Sequence, residues 1–376
     1  MATATQQQQR TQPGMVQAMP FVASSHEHVE PAFTTTVTTG AALQQLNPID
    51  IPAYGYIRHI LLEVTGAGGT GGTIAADGPW NLFQQITLQD VNGSNIFGPV
   101  DGYATYIANL LGGYAFRNNP VDSPWFVGTA PNPAFYMRVP VEVSHKDGLG
   151  SLANQNSAAN YKLTLAINTT AAAFSVAPSP LPTFTIRGWL EAWTLPSAQD
   201  TRGRPQAQVP PLLGTGQYWS SRLQSGLVVG ANTIPWTRLG NYIRMVAFIA
   251  RDGSGVRSAG VFPDPFQFNW DGMMIRNQSQ RYSQQDIYEK TGGIVTLPTG
   301  VFAIPFNHGG PVATLGDEDP DLWLPTTQSS RISIDGVSTV AGSVQVLTNE
   351  VAPIEQNQTQ RYVTPNATDT LIAPAQ

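Results

Sequence analysis

YIRHILLEV (residues 56–64) and YIRMVAFIA (residues 242–250) open on the same three residues, Tyr56-Ile57-Arg58 and Tyr242-Ile243-Arg244, 186 positions apart. Each apolar run ends at a polar turn, Thr65-Gly66 in one case and Asp252-Gly253 in the other. Working outward from this pair, four more matches keep the same order. Residues 86–90 (ITLQD) align with 273–277 (MMIRN), with Ile86 on Met273. Residues 107–113 (IANLLGG) align with 287–293 (IYEKTGG). Residues 138–143 (RVPVEV) align with 303–308 (AIPFNH), Pro140 facing Pro305, and residues 161–167 (YKLTLAI) with 330–336 (SRISIDG). A single short apolar string carries little information. Five in one order, with offsets that drift only across loops, indicate a duplicated domain. The period is far longer than a solenoid unit, so the expectation is two domains rather than an array.

Between the matches the chain reads as short strands. FTTTVTT (residues 33–39) alternates and is β-branched, and Gly, Pro and Asn divide the apolar runs that follow. VNGSN (residues 91–95) carries the Asn-Gly hairpin signal. Tyr103, Tyr106, Ile107, Leu110 and Leu111 are spaced as one helix face and stop at Gly112-Gly113. This pattern predicts antiparallel β-sandwiches with a small helix in each. Residues 1–30 form a polar, glutamine-rich N-terminal arm with an apolar patch at residues 15–22. The first sandwich then covers residues 31–196, a Pro-, Gln- and Gly-rich linker 197–214, and the second sandwich 215–352, with a C-terminal arm at 353–376.

Composition bounds the function. Charged residues make up 12% of the 376-residue chain, about half the usual ~25%. Such a neutral surface suits a protein whose exterior is buried against copies of itself. The net charge of -6 argues against broad nucleic-acid binding, which needs a basic face. Cysteine is absent, which excludes disulfides, thiolate nucleophiles and zinc-thiolate sites. No apolar run approaches the ~20 residues of a spanning helix, and residues 1–20 lack the apolar core of a signal peptide.

The candidate chemical motifs are incomplete. The glycine-rich run at residues 66–72 has no following Lys or helix, so it is a flexible loop rather than a phosphate loop. His26 and His28 lack a third fixed ligand. Asp317, Asp319 and Asp321 have the spacing of a calcium loop, but Leu322 and Gln328 replace the required Gly and Glu. Asp252 stands where a nucleophile elbow around Ser254 needs Gly. Glu63, Glu142 and Glu191 are expected on solvated sheet faces, and the tryptophans as core or interface anchors rather than a sugar platform. Arg58 and Arg244 recur at equivalent positions, which favours a shared structural role. No catalytic, cofactor or metal site is expected, and the chain is not expected to be an enzyme.

The duplicated strands at residues 56–58 and 242–244, the strand-then-helix units ending at Gly112-Gly113 and Gly292-Gly293, and the Pro140 and Pro305 strands together resemble a double jelly-roll major capsid protein. The resemblance is to the tectivirus-like group of tailless, internal-membrane, double-stranded DNA bacteriophages, and covers roughly residues 30–352. It implies two tandem jelly rolls, and a homotrimeric, pseudo-hexagonal capsomer in an icosahedral shell around a membrane. It also implies a virion location after assembly in the host cytoplasm. The implied partners are other copies of the chain, penton or other minor capsid proteins, and the membrane through the N-terminal arm. That arm has only Arg10 as a basic residue, which weakens lipid attraction. The competing classes are a glycan-acting jelly-roll enzyme and a carbohydrate-binding or spike protein.

Because no complete ligand set is visible, a chelator is expected to leave thermal melting unchanged. A drop of more than a few degrees would revive the calcium loop at Asp317, Asp319 and Asp321.

Overall fold

The computed structural model describes residues 18–112, 119–236, 239–290, 295–306, 323–327 and 330–352. Gly113, Gly292, Gly293, the 317–321 acidic run and both outer arms (residues 1–17 and 353–376) lie outside them.

The first half contributes β1 (Glu27–Thr38), β2 (Gln44–Gln45), β3 (Ile49–Asp50), β4 (Tyr56–Ala67), β5 (Thr73–Ile74) and β6 (Phe83–Gln89). It continues with β7 (Asn95–Val100), β8 (Ala134–Pro140), β9 (Leu152–Ala153), β10 (Lys162–Ile167), β11 (Phe174–Val176) and β12 (Thr183–Trp193). The second half contributes β13 (Gly216–Leu227), β14 (Gly230–Trp236), β15 (Tyr242–Asp252), β16 (Phe266–Trp270) and β17 (Met273–Gln278). It ends with β18 (Val301–Pro305), β19 (Leu324–Pro325), β20 (Ile332–Ser338) and β21 (Gly342–Ala352). Among the described residues, four α-helices accompany them: α1 (Phe21–Ser24), α2 (Gly102–Leu111), α3 (Thr170–Ala173) and α4 (Gln280–Lys290).

One sheet of the first sandwich runs β1-β12-β4-β8, and its other sheet runs β7-β6-β10-β2. The second sandwich repeats the plan, with β13-β21-β15-β18 facing β17-β16-β20-β14. This is the jelly-roll arrangement of paired antiparallel sheets over one core. The two sandwiches are not separate bodies. β7 pairs in parallel with β13 at Phe97 and Trp219, so two four-stranded halves fuse into one ten-stranded sheet that includes β3 and β19.

The repeat holds at the level of register. His59 faces Pro140 on β8, and Met245, 186 residues later, faces Pro305 on β18. Ile57 faces Leu152 on β9 just as Ile243 faces Leu324 on β19. Arg58 and Arg244 are each skipped in the pairing with β12 and β21, so both occupy a β-bulge. A bulge counts two residues as one. It therefore puts Ile57 and Ile60 on the same inner face of β4, and Ile243 and Val246 on the same inner face of β15.

One expected match is displaced. Ile86 lies on β6, which pairs with β10 and β7, whereas Met273 opens β17, which among the described strands pairs with β16 alone. The partner of Ile86 is Phe268 on β16, since Ile86 faces Leu165 as Phe268 faces Ile334. The β6–β7 connection spans residues 90–94 and the β16–β17 connection only 271–272, so the apparent alignment slipped by one strand. The start of the fold also differs from expectation. β1 begins at Glu27, and Phe21 packs edge-on against Tyr56 and Trp193, so residues 21–30 belong to the first sandwich rather than to an arm.

All ten residues of α2 are buried. The Asp101 side chain caps its start by accepting from the Ala104 N–H (2.9 Å), which supplies an acceptor to an otherwise orphaned donor. Asn109 presents its amide to the free edge of β8. Its Oδ1 accepts from the Arg138 N–H (2.7 Å) and its Nδ2 donates to the Arg138 carbonyl (2.8 Å). The side chain thus stands in for a neighbouring strand. α4 sits in the same place on β18, where Ser283 donates to the Ala303 carbonyl (3.2 Å).

Replacing Asn109 by Ala leaves both Arg138 backbone groups without these partners. The expected cost is about 2–4 kcal/mol in urea denaturation. An unchanged denaturation midpoint would show that β8 needs no such closure.

Candidate functional site

The repeated arginines do shared structural work with different partners. Arg58 leaves its bulge into a buried cluster. Its Nε donates to Glu142 Oε2 (3.0 Å), its Nη1 lies 3.0 Å from Glu27 Oε1, and its guanidinium sits 4.3 Å from the Trp193 ring centre. Arg58 also contacts His145 Nδ1. Glu142 is fully buried, and its Oε1 accepts from Trp193 Nε1 (2.6 Å) and Ser151 Oγ (3.2 Å). An enclosed carboxylate with these donors offers no open coordination to a substrate. The cluster ties edge strand β1, through Glu27 on Arg58, to β4 and β12. It also reaches the second sandwich, since Gln217 Nε2 donates to the Glu142 carbonyl (2.6 Å).

Arg244 instead crosses the seam between the sandwiches. Its Nη2 donates to the Gly112 carbonyl (3.4 Å) at the end of α2, and its Nη1 to Asn349 Oδ1 (3.3 Å). A cation there complements the negative end of the helix. A second ionic lock lies at the other end of α2. Asp77 accepts from Arg251 Nη2 (2.8 Å) and Arg257 Nε (2.7 Å), and both guanidinium groups lie over the Tyr103 ring. Gln345 accepts from Arg251 Nη1 (3.0 Å) and donates to Ser221 Oγ (2.8 Å) and to Asp101. Sequence reasoning missed this lock because Asp77 and Arg251 are 174 residues apart, and neither sits in a motif.

The other candidates fall out as follows. The glycine-rich loop is pinned by Asn132, whose Oδ1 accepts from the Gly69 N–H (2.9 Å), and leads into β5 rather than a helix. His28 stacks on Tyr54 at 3.8 Å, while its neighbour Glu27 is committed to Arg58. Ser254 belongs to the tight turn after β15, where its N–H donates to Asp252 Oδ1 (2.9 Å). Trp80, Trp193, Trp219, Trp236 and Trp323 are buried. The expectation of solvated glutamates fails for Glu142, which lies just past the end of β8 and is fully buried. It fails more mildly for Glu191, bonded to Arg138 (2.9 Å), and Glu63, bonded to Arg187 (3.2 Å). Among the described residues, no group of three or more His, Asp or Glu side chains is placed to hold a metal ion. No helix among them is long and apolar enough to cross a membrane.

The open surfaces are of another kind. A cleft of about 510 Å³ on the outer face of the first sandwich is lined by Leu61, Asn109, Tyr136 and Arg138, with Trp125 at its rim. On the second sandwich, the edge strand β17 exposes Met273, Met274 and Ile275 in sequence. Three consecutive exposed apolar residues on a sheet edge mark a contact surface.

His59 is wholly buried 3.7 Å from Glu142, and burial, then Arg138, Arg58 and His145, hold its pKa well below 6.5. The folded state therefore keeps His59 neutral while the unfolded chain takes up a proton below pH 6.5. Stability from this group is complete above that value and falls as pH drops through it, by up to about 1.4 kcal/mol per pH unit. Urea midpoints across that range check this, and His59→Gln is expected to flatten the slope.

Solved structures of the same architecture are viral coat proteins. The major capsid protein of Sulfolobus Turreted Icosahedral Virus superposes with a TM-score of 0.60 at 15% identity, covering 89% of this chain and 98% of its own. The major capsid protein P2 of bacteriophage PM2 gives 0.53 at 11% identity, covering 88% and 99%. A chain of the PBCV-1 virus capsid gives 0.53 at 12% identity, covering 87% and 94%. No protein-family model and no curated protein matches the sequence. The fold of this chain is that of the double jelly-roll major capsid proteins, as the resemblance in its sequence implied.

Proposed function

We propose that this chain is a viral major capsid protein that self-assembles as a homotrimer and tiles an icosahedral shell. The observation that carries this reading is the seam. Two sandwiches of the same register plan are welded side by side through β7 and β13, with α2 enclosed between them. Three such pairs about a three-fold axis present six similar lobes, which tile nearly as a hexagon. Similarity of fold to the capsid proteins above supports the role, and the scarcity of charge suits broad lateral contacts without the desolvation penalty of buried ions.

The finer features follow from the tectivirus-like resemblance. The shell surrounds an internal membrane enclosing double-stranded DNA, assembly takes place in the host cytoplasm, and penton or other minor capsid proteins complete the vertices. Contact with that membrane is made through the N-terminal arm, and the chain carries no catalytic residue, cofactor or metal.

Light scattering and negative-stain microscopy of purified protein test the proposal. A trimer with a hexagonal outline, able to form sheets or shells, is expected. A stable monomer at high concentration with no larger assembly would overturn it.

A further inference from the structure

The repeat makes the contact inside the chain a template for a contact between chains. β13 pairs with β7 at Trp219 and Phe97, which are 1% and 0% exposed. Their counterparts follow from the registers. Trp219 faces Asn349, which faces Met245; Val29 on β1 faces Glu191, which faces His59, the counterpart of Met245. Val29 therefore takes the place of Trp219.

Phe97 faces Leu88, which faces Leu163 on β10; Met273 faces Trp270, which faces Ile332 on β20. Leu163 and Ile332 are counterparts in the repeat, so Met273 takes the place of Phe97. A bulge confirms the alignment. Ile86 and Leu88 face Val100 and Phe97, while Phe268 and Trp270 face Arg276 and Met273, with one extra residue at the same point of β7 and of β17.

Val29 and Met273 are thus counterparts of a buried pair, and they are 57% and 67% exposed. Both lie on outermost strands, β1 and β17, whose far edges carry no strand in the described chain. The flanking surfaces match. Leu61 and Trp189 replace Ala247 and Leu347, which are buried in the cluster of the first sandwich, yet both are only half-buried, and Leu61 lines the cleft at Trp125. α2 is covered by the second sandwich, whereas α4, its counterpart, exposes Tyr282 and Tyr288.

We infer that β17 of one protomer pairs in parallel with β1 of a second copy, Met273 lying beside Val29, so that the seam within the chain is reproduced between chains. The inference rests on the self-association proposed above and names the strands that make it. Pairing covers the exposed Met273–Ile275 edge, which would otherwise be an aggregation hazard. It is also heterologous, the kind of contact that closes three copies into a ring when the rotation between them is about 120°.

The absence of cysteine makes the test clean. The double variant Val29→Cys with Met273→Cys is expected to give covalent trimers under mild oxidation on a non-reducing denaturing gel. Val29→Cys paired with Val337→Cys, another exposed position, is expected to give none. Met273→Asp should raise the protomer concentration at which the trimer dissociates roughly tenfold or more, with the far-ultraviolet spectrum unchanged. Trimers in light scattering without cross-linked trimers in the first variant would overturn the strand pairing and leave the capsomer intact. A chain monomeric in light scattering would overturn both.

Discussion

The middle strand of the second sandwich has to bury both of its faces, and the arrangement of the whole chain follows from that requirement. On β15, Ile243, Val246, Phe248 and Ala250 fill the core of their own sandwich. Met245, Ala247 and Ile249 point the other way and join the cluster that contains the first sandwich's core and α2. A strand with apolar residues on both sides cannot face water, so a second layer must be laid over it. The first sandwich supplies that layer through α2, and the parallel pairing of β7 with β13 continues the sheet across the junction. The seam is therefore continuous with the first sandwich's apolar core rather than a loose contact between beads on a linker.

Charge is scarce in this chain, and much of what the fold uses is concentrated at junctions. Asp77 with Arg251 and Arg257 closes one end of α2, and Arg244 closes the other. Arg58 and Glu142 fasten the edge strand β1 and reach the second sandwich through Gln217. Buried ion pairs add little net stability over apolar packing, but a broken one is expensive. Such pairs therefore select one relative placement of the sandwiches more than they hold it together. That separation of roles suits the self-assembly proposed above, in which a small error in angle would be multiplied from copy to copy.

The duplication also shows how one local device takes two uses. Arg58 and Arg244 sit at the same bulge, which turns the side chain out of the alternating pattern while keeping the apolar residues on either side facing inward. In the first sandwich the freed arginine binds an acid of its own domain. In the second it binds the helix of its neighbour. The backbone geometry was kept and the partner was changed.

The sequence by itself determined that the chain is all-β and duplicated. Apolar runs of strand length and their collinear order survive in the linear code, as does the helix ending near Gly112. It also marked Arg58 and Arg244, because a charged residue repeated between apolar ones is visible without coordinates. Period-two strings, however, carry almost no positional information, and this is why residues 86–90 aligned with β17 when their true counterpart is β16. The burial of Glu142, the lock of Asp77 with two arginines, and the pairing of Phe97 with Trp219 were decided only by the tertiary structure. Each joins residues that lie far apart in the chain, and burial and electrostatic pairing depend on distance in space, which a local pattern does not encode.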